Sequence, residues 1–292
     1  MPNYGRAFAI GLALNFGYVV VEAAIGVASG SLALIADAGH NLGDVLGLFL
    51  SWGAAVLSRR RPGGRYTYGY RASSILAALA NAIILLVVTG GIAWEALWRL
   101  WHPVPVAGTT IAWVAAIGIL VNGVTALLFA SSRRDDLNLR SAFLHMAADA
   151  LVTAGVVIAG IAIALTGLGW LDSAVSLVVS AVIVCGTWDL VRQSMQLALD
   201  AVPEGIDVET VRGHLLAIPG VIAIHDLHIW AMSTTETALT CHLVIPGGHP
   251  GDAVLSQAAR ELEARFGIHH TTIQIELADT DEACALTPEH VV

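Results

Sequence analysis

The chain has 292 residues, of which 56% are hydrophobic and 13% charged, and its mean hydropathy is +0.73. A soluble domain carries about 25% charged residues, so this balance excludes an ordinary soluble protein and points to a membrane protein. The formal charge of -9 is unevenly spread: from Pro203 onward there are thirteen acidic and three basic residues, against ten acidic and eleven basic before it.

Six stretches reach the roughly 20 apolar residues that a bilayer crossing needs: Phe8–Ala28, Leu32–Leu57, Ser74–Trp98, Thr110–Ala130, Ala142–Leu165 and Leu171–Leu190. The first carries Asn15 and Glu22 and runs straight into the second, so it reads as a retained helix rather than a cleaved signal. Arg59, Arg60, Arg61, Arg65 and Arg71 follow the second span, and Arg133, Arg134 and Arg140 follow the fourth. The loops after the first and fifth spans hold no basic residue, and the loop after the third holds Arg99. The positive-inside rule then puts both termini in the cytoplasm. Trp94, Trp98, Trp101 and Trp170 lie at the opposite boundary, as interfacial aromatics do.

After Asp200-Ala-Val-Pro203 the pattern changes. Helical spacing over 208–217 is followed by two alternating stretches at 221–231 and 237–245, a turn at Gly247–Gly251, an amphipathic helix at 253–266 and a strand at 271–277. The expected fold class is a membrane all-α six-helix domain over residues 1–200 with a small cytoplasmic α+β domain of order αββαβ over 201–292. Cys185, Cys241 and Cys284 form no CxxC pair and no disulfide framework.

Two segments inside the spans carry the same pattern, His40-Asn-Leu-Gly-Asp44 and His145-Met-Ala-Ala-Asp149. Residues four apart share a helix face, so each segment points an imidazole and a carboxylate the same way. Ionisable groups at membrane depth are costly and mark functional sites. Two facing pairs offer two nitrogens and two oxygens, a set suited to tetrahedral zinc. One such pair could simply knit helices together; two identical pairs favour metal. Asp37 falls on the face of His40 and Asp44, either holding a proton or orienting His40. Asn15, Glu22, Asn81 and Asn122 either line a path or bond between helices, and Asp172 suits a cap near a helix start. Because a metal ligand must be deprotonated and imidazole titrates near pH 6.5, metal and protons compete for such a site, as antiport requires.

The run Ser31-Leu-Ala-Leu-Ile-Ala-Asp-Ala-Gly-His40-Asn-Leu-Gly-Asp44 resembles the second-helix signature of the cation diffusion facilitator family, in particular its bacterial zinc, cadmium and cobalt exporters. The segments beginning at Tyr66, Leu144, Ile224 and His270 agree with it in family order. The resemblance implies a homodimeric, proton-coupled exporter of divalent cations with a ferredoxin-like cytoplasmic domain. It makes His40, Asp44, His145 and Asp149 the transport site. Zinc is then the leading substrate and a regulatory ion of the tail, with cadmium or cobalt as alternatives; the partners are the cation, protons, the lipid bilayer and a second copy, with no nucleic acid.

The tail holds eight of the eleven histidines. By resemblance, His225, His242 and Glu276 lead as cytoplasmic metal ligands, with His270 (or His269) and Cys284 as further candidates, and His269 and His270 are expected just before the last strand. His214, His249 and His290 read as exposed polar residues. The loop over 131–139 holds no histidine, where many relatives are His-rich, and the segment 59–70 holds no His, Asp, Glu or Cys, so no metal site is expected in 59–70. No HExxH, G-x-S-x-G or Ser/His/Asp arrangement stands out, so no enzyme is expected. A membrane-tethered metal sensor, or an intramembrane metalloprotein without transport, is the competing reading.

Overall fold

The computed structural model describes residues 4–58, 60–130 and 137–277, without the side chains of 4–12, 48, 51, 52, 55, 126–130 and 137–148. Six long helices come first: α1 (Tyr4–Ser29), α2 (Leu32–Ser58), α3 (Ser73–Trp101), α4 (Gly108–Ala130), α5 (Leu137–Thr166) and α6 (Trp170–Ala198). Among the described residues, four segments are long and apolar enough to cross a membrane: Ser73–Trp101, Gly108–Thr125, Asp149–Thr166 and Trp170–Ala198. Ala13–Ser29 is a shorter apolar helix, and α2 carries Asp37, His40, Asn41 and Asp44 within its apolar sequence.

One compact unit comprises Met1–Leu50 and Ala80–Val191. Its apolar core joins Leu34 of α2, Leu85 of α3, Ile111 and Val114 of α4, Val156 of α5 and Val179 of α6. The hairpin of α4 and α5 is close because small residues face each other. A β-carbon built on Gly160 would stand 2.6 Å from the Ala112 nitrogen, and one on Gly108 would stand 2.5 Å from the Gly160 carbonyl oxygen.

The turn between α1 and α2 is fixed by polar groups. Gly30 takes a φ of +68°, the left-handed region that suits glycine. Its carbonyl accepts a 2.6 Å hydrogen bond from Arg99 of α3. Ser31 Oγ accepts from the Leu34 nitrogen at 3.2 Å and donates to Asp172 Oδ1 at 2.6 Å. Asp172 Oδ2 accepts from the Leu32 nitrogen at 2.8 Å. Asp172 therefore caps α2 from the first turn of α6, where sequence suggested a cap on its own helix; its charge meets the exposed amides and positive dipole end of α2.

The second unit comprises Ser51–Leu79 and Arg192–Val292. It contains α7 (Val208–Leu216), β1 (Ala223–Ala231), β2 (Thr237–Val244), α8 (Asp252–Phe266) and β3 (Ile268–Glu276). The expected αββαβ order is borne out. β1 and β2 form an antiparallel hairpin, and β3 adds beside β2 in parallel, as a crossover through α8 permits. The core between helices and sheet includes Val211, Leu215, Leu239, Leu243, Leu262 and Ile268. Asp207 caps α7 by accepting from the Thr210 nitrogen at 3.0 Å, and the Thr210 hydroxyl and amide hold its carboxyl below the usual range. Gly267, at φ +67°, closes α8. β3 begins at Ile268, so His269 and His270 lie inside the strand rather than before it. Ile268 is buried against the core, which extends pairing past the polar run His269–Thr272.

In the same unit, the segment before α3 meets the hairpin. Arg71 forms an ion pair with Glu236, Ser74 Oγ accepts from the Thr234 nitrogen at 3.1 Å, and Tyr68 stands edge-on to His270 with ring centres 5.7 Å apart.

Candidate metal centres

Among the described residues, two groups of three side chains offer ligand atoms that all lie within 4.8 Å of one another: His40 with Asp44 and Asp149, and His225 with His242 and Glu276. In a tetrahedral zinc site with bonds of about 2.0–2.1 Å, ligand atoms stand about 3.4 Å apart.

The first group is built by two helices more than a hundred residues apart in sequence. His40 and Asp44 sit one turn apart on α2, with His40 Nε2 4.0 Å from Asp44 Oδ2. Asp149 comes from α5 and brings Oδ1 to 3.2 Å from His40 Nε2. Asp149 is 6% exposed, His40 19% and Asp44 31%, so the group opens on the Asp44 side. One turn further along α5, the buried Thr153 hydroxyl lies 3.1 Å from Asp37 Oδ2 and 2.9 Å from the Asp149 carbonyl oxygen. Asp37 is 2% exposed. It ties α2 to α5 behind the ligands, a placement that suits an orienting role. His145 lies in α5 one turn before Asp149, and its side chain is outside the described residues.

The second group is assembled by strand register. His225 of β1 and His242 of β2 are direct cross-strand partners, with His242 Nδ1 3.3 Å from His225 Nε2. Glu276, at the end of β3, places Oε2 3.2 Å from His225 Nε2 and Oε1 2.8 Å from His242 Nδ1. A fourth residue, which sequence reasoning did not select as a ligand, holds the other ring nitrogen of His242. Asp226 Oδ2 lies 3.5 Å from His242 Nε2, and Oδ1 lies 2.8 Å from His228 Nε2. Neighbours on a regular strand point to opposite faces. The register shift between His225 and His228, with Asp226 at φ +52°, breaks that alternation and lets both 225 and 226 reach His242. The sequence signal was faint: aspartate is one of the few residues that tolerates the left-handed region.

Other tail candidates fall elsewhere. His270 pairs in register with Ala238 while Glu276 pairs with Val244. Six strand residues separate them, roughly 20 Å at 3.3 Å each, so His270 does not share an ion with His225, His242 and Glu276 of the same chain. Cys284 and His290 lie outside the described residues. His214 makes a 3.2 Å pair with Glu261 and packs near the Phe266 ring. His249 is exposed in its turn. Cys241 is 1% exposed, and burial pushes its thiol up to about 12, so at neutral pH it offers no thiolate to a metal.

The sequence of the chain matches known proteins along most of its length. Residues 8–197 match the family model of the cation efflux transmembrane domain, and residues 203–278 match that of the cation efflux protein, cytoplasmic domain. The chain is 36% identical over 281 residues to the metal cation efflux system protein CzcD of Cupriavidus metallidurans, covering 96% of this chain and 89% of that one. It is 36% identical over 276 residues to the zinc transporter ZitB of Escherichia coli, covering 94% and 88%. It is 34% identical over 265 residues to the cadmium, cobalt and zinc/H(+)-K(+) antiporter of Bacillus subtilis, covering 89% and 85%. A solved structure, "Metal-bound C-terminal domain of the CzcD transporter from Cuprividus metallidurans", is 40% identical, covers 25% of this chain and 100% of its own, and has a TM-score of 0.23. Matched through both its helical and its α+β region, the chain belongs to the cation efflux family, also called the cation diffusion facilitators.

Proposed function

We propose that the chain is a secondary transporter that exports divalent cations, zinc foremost, from the cytoplasm in exchange for protons by alternating access. The observation that carries this reading is the convergence of His40, Asp44 and Asp149 from two helices into one group of ligand-distance side chains. His145, one turn from Asp149, completes the proposed set. Relatives named as zinc, cadmium and cobalt transporters support the choice of cation. Two carboxylates in a low-dielectric site are neutralised by one divalent ion, and protons on the same groups neutralise them once the ion leaves. Acid on one face therefore displaces metal, while a more alkaline face favours loading.

In this reading residues 1–200 form the transport domain of an inner-membrane protein with cytoplasmic termini. Residues 201–292 form a cytoplasmic domain that pairs with a second copy. His225, His242 and Glu276 would hold a regulatory zinc there: two imidazoles and a carboxylate are a borderline-soft donor set that zinc accepts. Neutralising charge in a domain with a net of -10 would favour the approach of two copies.

The test is zinc flux into sealed proteoliposomes. The double variant Asp44→Ala, Asp149→Ala is expected to fold and to lose flux to background. Undiminished flux in that variant overturns the site.

A further inference from the structure

Behind the metal group lies a second intramembrane acidic site whose chemistry is different. Asn15, Tyr18 and Glu22 occupy one face of α1, spaced three and four residues apart. Glu22 is 0% exposed. Its Oε1 accepts a 2.7 Å hydrogen bond from the Tyr18 hydroxyl, which also lies 3.2 Å from the Val114 carbonyl of α4. Gly118 makes room for this phenol: a β-carbon there would stand 2.3 Å from the Tyr18 oxygen. Among the described residues Glu22 Oε2 makes no hydrogen bond of good geometry, and the Asp37 carboxyl and Asn41 amide of α2 both lie beside the Glu22 carboxyl.

Tyr18, with Asn41 nearby, holds Glu22, and Thr153 holds Asp37, and the two carboxyls present acceptors to each other. No cation is available to bridge them from α4, whose sequence has no ionisable residue. Among the described residues the titratable groups facing Glu22 are Tyr18 from its own helix and Asp37 from α2; His40 and Asp149 act on Asp37 from beyond it. Two facing acceptors in a buried site bond to each other only if one of them carries a proton, and unpaired burial of two like charges is far costlier. Glu22 sits on a helix that contributes none of the proposed metal ligands.

We propose that Glu22 is a proton-binding site separate from the metal ligands, sharing one proton with Asp37 when the metal group is empty and releasing it when a divalent cation binds. The link runs from Asp37 through the Thr153 hydroxyl to the Asp149 backbone. A +2 charge on the neighbouring ligands favours the ionised form of the pair. This rests on the transport reading above and gives the metal cycle a proton that does not compete for a ligand atom.

The experiment uses the full chain in lipid nanodiscs, titrated with zinc in buffers of different ionisation enthalpy to count protons released per ion. Glu22→Gln is expected to release about one proton fewer per chain than the unsubstituted protein, and Glu22→Asp to restore it. Tail-domain binding contributes equally to each and cancels. Infrared difference spectra of the same samples should show a protonated-carboxyl band at neutral pH that zinc removes and that Glu22→Gln lacks. Equal proton release from the unsubstituted protein and Glu22→Gln overturns the proposal. So does the absence of the band from the unsubstituted protein, which decides the matter even if Glu22→Gln fails to fold. Both readouts need binding and no flux, so a protein that shows the band but carries no zinc across proteoliposomes sinks the transport reading alone.

Discussion

Thr153 is the residue on which the intramembrane ligand geometry most depends without itself being a ligand. Its hydroxyl reaches Asp37 and the Asp149 carbonyl, so it fixes α5 against α2 where the metal group forms. Thr153→Val keeps the shape and removes the hydroxyl; leaving buried Asp37 short of a donor costs about 1–3 kcal/mol. Loss of such an outer partner lowers metal affinity by roughly 10- to 100-fold, measurable by zinc titration of the purified protein. Asp226 plays the corresponding part in the tail, holding the His242 ring through Nε2. Asp226→Ala is expected to weaken tail-domain zinc binding by about 10-fold or more, whereas His270→Ala is expected to leave it within twofold, roughly measurement scatter. Cys241, its thiol pushed up to about 12 by burial, is expected to resist alkylation of the native protein at neutral pH and to react once the tail unfolds.

At the scale of elements, the close hairpin of α4 and α5 is the part of the bundle least able to absorb a side chain. At Gly160 the obstacle is backbone, the Ala112 nitrogen and the Gly108 carbonyl, which cannot swing aside as a side chain can. Gly160→Leu is expected to separate the helices and cost about 1–3 kcal/mol or more, read as a lowered melting temperature and loss of the monodisperse peak in detergent. The same scale shows what sequence could convey. The HxxxD spacing placed His40 and Asp44 on one face because a helix repeats regularly, and alternation located β1 and β2 to within two residues. Asp226 was not singled out beside His242 because a bulge is an irregularity, and periodicity describes only the regular pattern around it. Asp172 was read as a local cap because sequence shows neighbours along the chain; its partner is the start of α2, 140 residues away. The early start of β3 was hidden by His269–Thr272, whose polarity resembles a loop but whose backbone pairs with β2.

For the molecule as a whole, the composition already separated an apolar helical region from an acidic α+β region, and the matched family models fall on those two regions. Which ligands belong together was less legible, since it depends on helix pairing and strand register that no local pattern encodes. The central claim is exchange of metal for protons, and it is tested most directly by zinc flux into sealed proteoliposomes under imposed pH gradients. An acidic lumen is expected to accelerate zinc uptake and to alkalinise as zinc enters, a reversed gradient to slow uptake, and a protonophore to abolish the difference. Zinc flux that is equal under all three conditions, with no movement of protons, would contradict it.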